Sequence, residues 1–184
     1  MDDSTAIQKC KAGETEAFSH LVRKYQPEAI GHAVAILGSL DDALDAVQDA
    51  FLDAYQAVER FDGSRRFYPW LYTILRNRCF KSLRDRQKRA AAGDDAVEIL
   101  AQTAKDSGSV SPSIVDRALR ELGAEDRELL TLKHLDGLSY KDIAEILDIP
   151  VGTVMSRLYY ARERFRQSVL ALRETLDSQE SNDD

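Results

Sequence analysis

Apolar residues along this chain recur at intervals of three and four, and no stretch alternates apolar and polar positions with β-branched enrichment. That periodicity predicts an all-α protein, because a helix turns about every 3.6 residues whereas a half-buried strand repeats every two. Ser4 can cap a short helix to about Lys11. Thr15 can open a longer one to about Leu37, in which Pro27 is expected to introduce a kink and which Gly38 ends. Ser39 caps a helix over about Leu40 to Glu59, and the turn Phe-Asp-Gly-Ser-Arg-Arg separates it from one over about Tyr68 to Arg89.

Residues 90–112, AAAGDDAVEILAQTAKDSGSVSP, lose both the period and the aromatics and gain Gly, Ser, Asp and Pro, which marks a flexible linker. Beyond it helices are expected at about Ser113 to Leu122, Glu125 to Leu135, Tyr140 to Leu147 and Val151 to Arg173, and the acidic tail 176–184 is expected to fray. The chain thus divides into two small helical domains, residues 1–89 and 113–175, a division that 184 residues can accommodate.

Composition narrows the class. With 43% apolar and 31% charged residues the chain has a soluble globular balance. Its apolar runs, AIGHAVAIL among the longest, fall far short of the roughly 20 residues that span a bilayer, so a cytoplasmic protein is expected. Cys10 and Cys79 have no second cysteine at metal-ligand spacing and read as reduced thiols. The formal net charge is −7, but bases crowd Arg60 to Arg89 and Val151 to Arg166 while acids crowd the two ends and residues 41–53. Local charge decides what a surface meets, so an acidic total leaves room for basic faces.

The second basic region follows a well-punctuated motif. In GLSYKDIAEILDIPVGTVMSRL, Ser139 with Asp142 three residues on resembles a capping box, Ile143, Ala144 and Leu147 give a short buried face, and Asp-Ile-Pro stops the helix. Val151, Val154, Leu158, Ala161, Phe165, Val169 and Leu172 then share one arc of a long amphipathic helix. Two helices across a tight turn make a helix-turn-helix. The outward face carries Met155, Ser156, Tyr159, Tyr160, Glu163 and Arg166, with Arg157, Arg162 and Arg164 on its flanks. Its first turns suit base edges in a major groove and its later arginines suit phosphates.

In the first basic region, FYPWLYTILRNRCFKSLRDRQKR, Phe67, Tyr68, Trp70, Tyr72 and Phe80 are interleaved with Arg76, Arg78, Lys81, Arg84, Arg86, Lys88 and Arg89. Aromatics among bases suit single-stranded nucleic acid, whose unstacked bases lie on rings while its backbone follows the cations. The same spacing equally suits an aromatic core. Thr73, Arg76, Asn77, Lys81, Arg84 and Lys88 align on one side, whereas Arg78 falls in the apolar sector with no evident reason. The preceding helix exposes Asp42, Asp45, Asp49 and Asp53 beside Val47 and Phe51. No Glu-x-x-His pair accompanies these carboxylates, so a partner-binding or solvated acidic face is favoured over a metal centre.

Together these residues resemble a bacterial RNA polymerase sigma factor of the extracytoplasmic-function (ECF, sigma-70 group IV) family. DDALDAVQDAFLDAY is similar to its D-x-x-D-x-V-Q-[DE]-x-F pattern and WLYTILRNRCFKSLR to its W-L-[YF]-x-I-x-x-N segment, both in sigma domain two. GLSYKDIAEILDIPVGTVMSRLYYAR is similar to the helix-turn-helix of sigma domain four. The resemblance implies a dissociable, non-enzymatic specificity subunit without metal or cofactor. Its partners would be the β′ clamp helices and β flap of core RNA polymerase, promoter DNA and an anti-sigma factor. It implies polymerase docking through Asp45, Gln48, Asp49 and Phe51. Melting and capture of the −10 element would fall to Trp70, Tyr72, Arg76, Asn77, Lys81 and Arg84, and reading of the −35 element to Thr153, Met155, Ser156, Arg157, Tyr159, Tyr160 and Arg162. Met155, Tyr160 and Lys81 depart from the residues common in the family at those positions, so no promoter sequence carries over. A helix-turn-helix repressor or response-regulator output domain is the alternative, which leaves the N-terminal half without a task.

Overall fold

The computed structural model describes residues 1–92 and 113–180, and every regular element among them is helical. The N-terminal unit contains α1 (Asp3–Lys11), α2 (Phe18–Leu37), α3 (Leu40–Ala57) and α4 (Phe67–Ala92), with single 3₁₀ turns at Thr15–Ala17 and Val58–Arg60. The C-terminal unit contains α5 (Ile114–Glu121), α6 (Ala124–Leu130), α7 (Tyr140–Leu147) and α8 (Val151–Glu180).

Local chemistry sets most boundaries. Asp2, rather than Ser4, caps α1, its carboxylate accepting the Thr5 N–H at 2.7 Å. Ser39 caps α3 as expected, accepting from the Asp42 N–H at 3.3 Å. Ser113 with Asp116 and Ser139 with Asp142 both close reciprocal capping boxes, so Asp serves here in the place Glu usually takes. Helix α2 continues unbroken through Pro27, whose missing N–H leaves one carbonyl to solvent on an exposed face. It ends at Gly38, whose φ of 74° is the left-handed conformation that a residue without Cβ adopts freely.

Three expected boundaries move. Helix α4 extends to Ala92, three residues into the expected linker, because Ala90, Ala91 and Ala92 are the strongest helix formers. The rest of that linker, 93–112, lies outside the described residues. The single helix expected over Glu125 to Leu135 turns π-helical at Thr131–Leu135. Helix α8 runs seven residues past Arg173 to Glu180, over a stretch with no Gly or Pro, and 181–184 lie outside the described residues.

In the N-terminal unit Leu21, Ile36, Leu71, Tyr72, Leu75 and Cys79 are fully buried. Phe18 meets Phe51 and Phe67 edge-on at 6.4 Å, welding α2, α3 and the start of α4. In the C-terminal unit the core is Leu129, Leu132, Ile143, Val154, Leu158 and Ala161, whereas Val151, expected on the buried arc, is exposed.

Charge also ties α3 to α4, and here Arg78 finds its explanation. Its Nε and Nη2 donate to the two carboxylate oxygens of Asp53 at 2.6 and 2.5 Å, and Nη1 reaches Asp49 at 3.5 Å. Arg86 pairs with Asp42. The Arg78 hydrogen bonds hold the Asp53 carboxyl below the usual carboxylate range, outweighing its partial desolvation. A carboxyl depressed in the folded state adds stability above its unfolded pKa of about 4, and that increment is lost as pH falls through the lowered folded value. Asp53→Asn is therefore expected to speed α4 amide hydrogen exchange at about pH 6, with the two proteins converging only as pH falls below the lowered folded value. Equal protection at about pH 6 would show that the pair contributes nothing.

Candidate nucleic-acid interface and docking face

Around α3 the side chains fall into distinct sectors. Ala43, Ala46, Val47, Ala50, Phe51 and Ala54 face the core. Next lies an exposed apolar stripe of Leu40, Leu44, Leu52 and Tyr55, then a crest with Asp45, Gln48 and Asp49 exposed. Asp42 and Asp53 turn to the arginines of α4. Asp45 has no partner among the described residues and Asp49 only the long contact to Arg78, so both carboxylates remain available. Phe51 is only 7% exposed and lines the floor of a groove of about 400 Å³ with Phe18, Val47 and Gln48. The walls include Leu44, Leu52 and Tyr55, which the sequence reading passed over. Their i, i+4 and i+8 spacing with Gln48 was the available signal, hidden because it merges with the wide buried face.

Along α4, Thr73, Asn77, Lys81, Arg84 and Lys88 are all exposed and share one side, a track about 22 Å long at 1.5 Å per residue. Arg76 leaves this line half-buried, its guanidinium over the Phe80 ring at 4.5 Å. Trp70 sits half-exposed at the head of the helix, its ring 4.8 Å from Phe61 and 5.6 Å from Phe67. Tyr72 departs from its expected place: it is 0% exposed, edge-on to His32 at 5.0 Å, so its ring is core and offers no face to a base. The accessible tyrosines are instead Tyr25 and Tyr68, stacked at 5.1 Å, with Tyr68 Oη 2.6 Å from His32 Nδ1. Tyr25 comes from α2, and no local pattern could pair it with α4.

The C-terminal helix pair is joined by Asp148, Ile149 and Pro150. Asp148 takes φ 52°, a left-handed conformation that Asp tolerates better than most residues. The Pro150 carbonyl accepts from the Thr153 and Val154 N–H groups at 2.9 and 3.1 Å and so starts α8. Val154 and Leu158 anchor the inner side. Met155, Tyr159 and Tyr160 are 54%, 65% and 58% exposed, Ser156 and Arg157 are exposed, and Thr153 is half-buried. Arg162 donates from Nε to His134 Nε2 at 3.2 Å, and burial together with Arg162 and Lys133 lowers the His134 pKa, which keeps that nitrogen an acceptor.

Not all arginines of α8 are available to phosphates. Arg164 grips Asp126 through Nε and Nη2 at 2.6 and 2.7 Å, and Arg166 donates to Glu163 at 3.2 and 2.7 Å. Each of these two thus already holds a carboxylate that a phosphate would have to displace. Arg157 has no ion-pair partner among the described residues, and Arg162 bonds only a neutral acceptor, so these two carry uncompensated charge.

Comparison with known proteins places both sites in sigma-factor regions. Sigma-70 region 2 matches residues 21–89 and sigma-70 region 4 matches residues 113–165. The chain is 36% identical over 191 residues to the ECF RNA polymerase sigma-E factor of Escherichia coli K12, covering 94% of this chain and 96% of that protein. It is 34% identical over 189 residues to the ECF RNA polymerase sigma-E factor of Haemophilus influenzae, covering 94% and 97%. Among solved structures it is similar to the sigma factor RpoE in complex with the anti-sigma factor NepR from Bartonella quintana, with a TM-score of 0.68, 26% identity and coverage of 84% and 98%. It is also similar to CnrH in complex with the cytosolic domain of CnrY, with a TM-score of 0.66, 26% identity and coverage of 92% and 97%. With two sigma regions in order and relatives aligned end to end, the chain belongs to the extracytoplasmic-function family of RNA polymerase sigma factors.

Proposed function

We propose that this sigma factor acts through three surfaces: the crest and apolar stripe of α3 dock on core RNA polymerase, α4 captures the opened −10 strand, and the first turns of α8 read the −35 duplex. The observation that carries the reading is the placement of the exposed track on α4 inside the region 2 match and of the exposed face of α8 inside the region 4 match. The repressor alternative gives region 2 no role.

Each surface suits its task physically. On α3, Asp45, Gln48 and Asp49 supply charge complementarity to a basic partner, and Leu44, Leu52 and Tyr55 supply apolar area beside them. On α4, Asn77, Lys81 and Arg84 follow a strand while Trp70 offers a ring edge at its head, and Arg76 reaches the strand only by leaving Phe80. Base–ring contacts worth about 1–3 kcal/mol each can offset the few kcal/mol of unpairing, so strand opening needs no catalytic chemistry and no cofactor. The −35 contacts divide between Arg157 and Arg162 on the backbone and Thr153, Met155, Ser156, Tyr159 and Tyr160 toward the bases. An anti-sigma factor is the further partner, by similarity to the sigma factor RpoE, whose structure contains the anti-sigma factor NepR. The cytoplasm is the compartment this reading requires, and no described helix is long and apolar enough to cross a membrane.

Run-off transcription from a randomised promoter library with a purified bacterial core RNA polymerase tests the whole reading: a common pair of elements should emerge only when this chain is added, and no enrichment would refute it. Asp45→Lys should weaken binding to core polymerase by about tenfold or more, since like-charge contact costs several kcal/mol. Unchanged affinity by fluorescence anisotropy would move the docking face elsewhere. Arg157→Ala and Arg162→Ala should each lower the slope of log affinity against log salt by about 1, whereas Arg164→Ala, whose charge Asp126 already compensates, should leave it unchanged. Equal slopes in all three variants would contradict the division of the arginines.

A further inference from the structure

The base-facing side of α8 has an unusual chemical makeup. Met155 and Tyr159 form one i, i+4 pair and Ser156 and Tyr160 another, so the four make a two-by-two patch over the second and third turns. All four are exposed, and the Tyr159 and Tyr160 rings touch edge to face at 5.4 Å and 78°. No cation projects from the patch itself. Arg157 lies about 60° beyond Tyr160 on one flank, and Arg162 continues the Met155 edge two turns further on, where its Nε is engaged by His134.

The hydrogen-bonding capacity of the patch is restricted as well. Ser156 Oγ donates to the Thr153 carbonyl at 3.0 Å, so toward DNA it is left as an acceptor. Guanine presents two acceptors in the major groove, N7 and O6, and is read best by a bidentate cation that this patch lacks. Adenine presents the N6 amino donor, and its partner thymine presents a C5 methyl group. An A·T pair therefore offers both things that the patch can use, a donor for Ser156 and an apolar group for Met155 and the tyrosine rings.

We propose that Met155, Ser156, Tyr159 and Tyr160 specify at least one A·T base pair of the −35 element through contact with the thymine methyl group. This rests on the reading of α7 and α8 as the −35 module and goes beyond it by assigning the base and the atom recognised. Glu163 and Arg166, the ionised groups further along the same face, are paired with each other, and Gln167 also donates to Glu163, so together they add no net charge beside the patch.

The test uses the full chain with core RNA polymerase on the best promoter from the library selection. Each thymine of its −35 element is replaced in turn by deoxyuridine, which removes the methyl group and nothing else. At one or more positions affinity should fall about fourfold, the worth of one buried methyl group. That penalty should vanish in Met155→Ala, Tyr159→Ser or Tyr160→Ser, because a protein lacking the apolar contact no longer distinguishes thymine from uracil. A −35 element without thymine, an element indifferent to deoxyuridine throughout, or a penalty of equal size in all three variants would overturn the proposal while leaving the sigma-factor reading intact. Failure of the library to enrich any −35 sequence would instead overturn that reading, and the proposal with it.

Discussion

In a chain with 32 aspartates and glutamates against 25 lysines and arginines, a basic surface survives only where its cations have no carboxylate within reach. The fold decides which those are. Arg78 and Arg86 are spent on α3, and Arg164 and Arg166 on Asp126 and Glu163. Pairs this accessible to solvent add little stability, so their larger consequence is to shape the field. They subtract four arginines from the basic count and leave the charge concentrated on the Lys81 and Arg84 side of α4 and at Arg157 and Arg162.

The same pairs, with the aromatic packing beside them, set α4 against α3 within one unit. Opening a duplex without chemical energy requires that the captured strand be met at a fixed place relative to the polymerase, since a track that swivels would lose in ordering what stacking gains. Arg78 and Arg86 join α4 to the helix whose neighbouring exposed crest carries Asp45 and Gln48. Phe18, Phe51, Phe61, Phe67 and Trp70 pack the corner where α4 begins. On the proposed reading, docking through α3 would aim α4, and the aromatic residues of the core would also form the head of its strand-facing surface.

What was legible in the sequence was local, and what was missed was tertiary. The Ser39 and Ser139 caps, the Gly38 stop and the helix-turn-helix depend on residues close in sequence, and the structure places them where spacing put them, although Asp2 takes the cap expected of Ser4. Helix ends were less legible because alanines and glutamates continue a helix without announcing its end, as at Ala92 and Glu180. Tyr72 and Tyr68 lie four residues apart and both look like base platforms, yet His32 and the core take Tyr72 and leave Tyr68 accessible. Arg78 had no explanation until Asp53, 25 residues away, was seen to lie against it. Arg164 likewise has a partner that spacing did not reveal, Asp126, 38 residues earlier.

With only a handful of uncompensated cations on each DNA-facing helix and a net charge of −7, neither basic surface should hold DNA tightly alone. Non-specific affinity scales with the number of phosphates neutralised, and a small number suppresses binding to the vast excess of competing sequence. Affinity then has to come from engaging both elements at once, where the second contact is effectively intramolecular and gains from a raised local concentration. That gain is available only when the two units are held at the spacing of the two elements, and docking on the polymerase supplies a fixed frame for it. An acidic sigma factor with few uncompensated cations on each DNA-facing helix would in this way make promoter binding conditional on the polymerase.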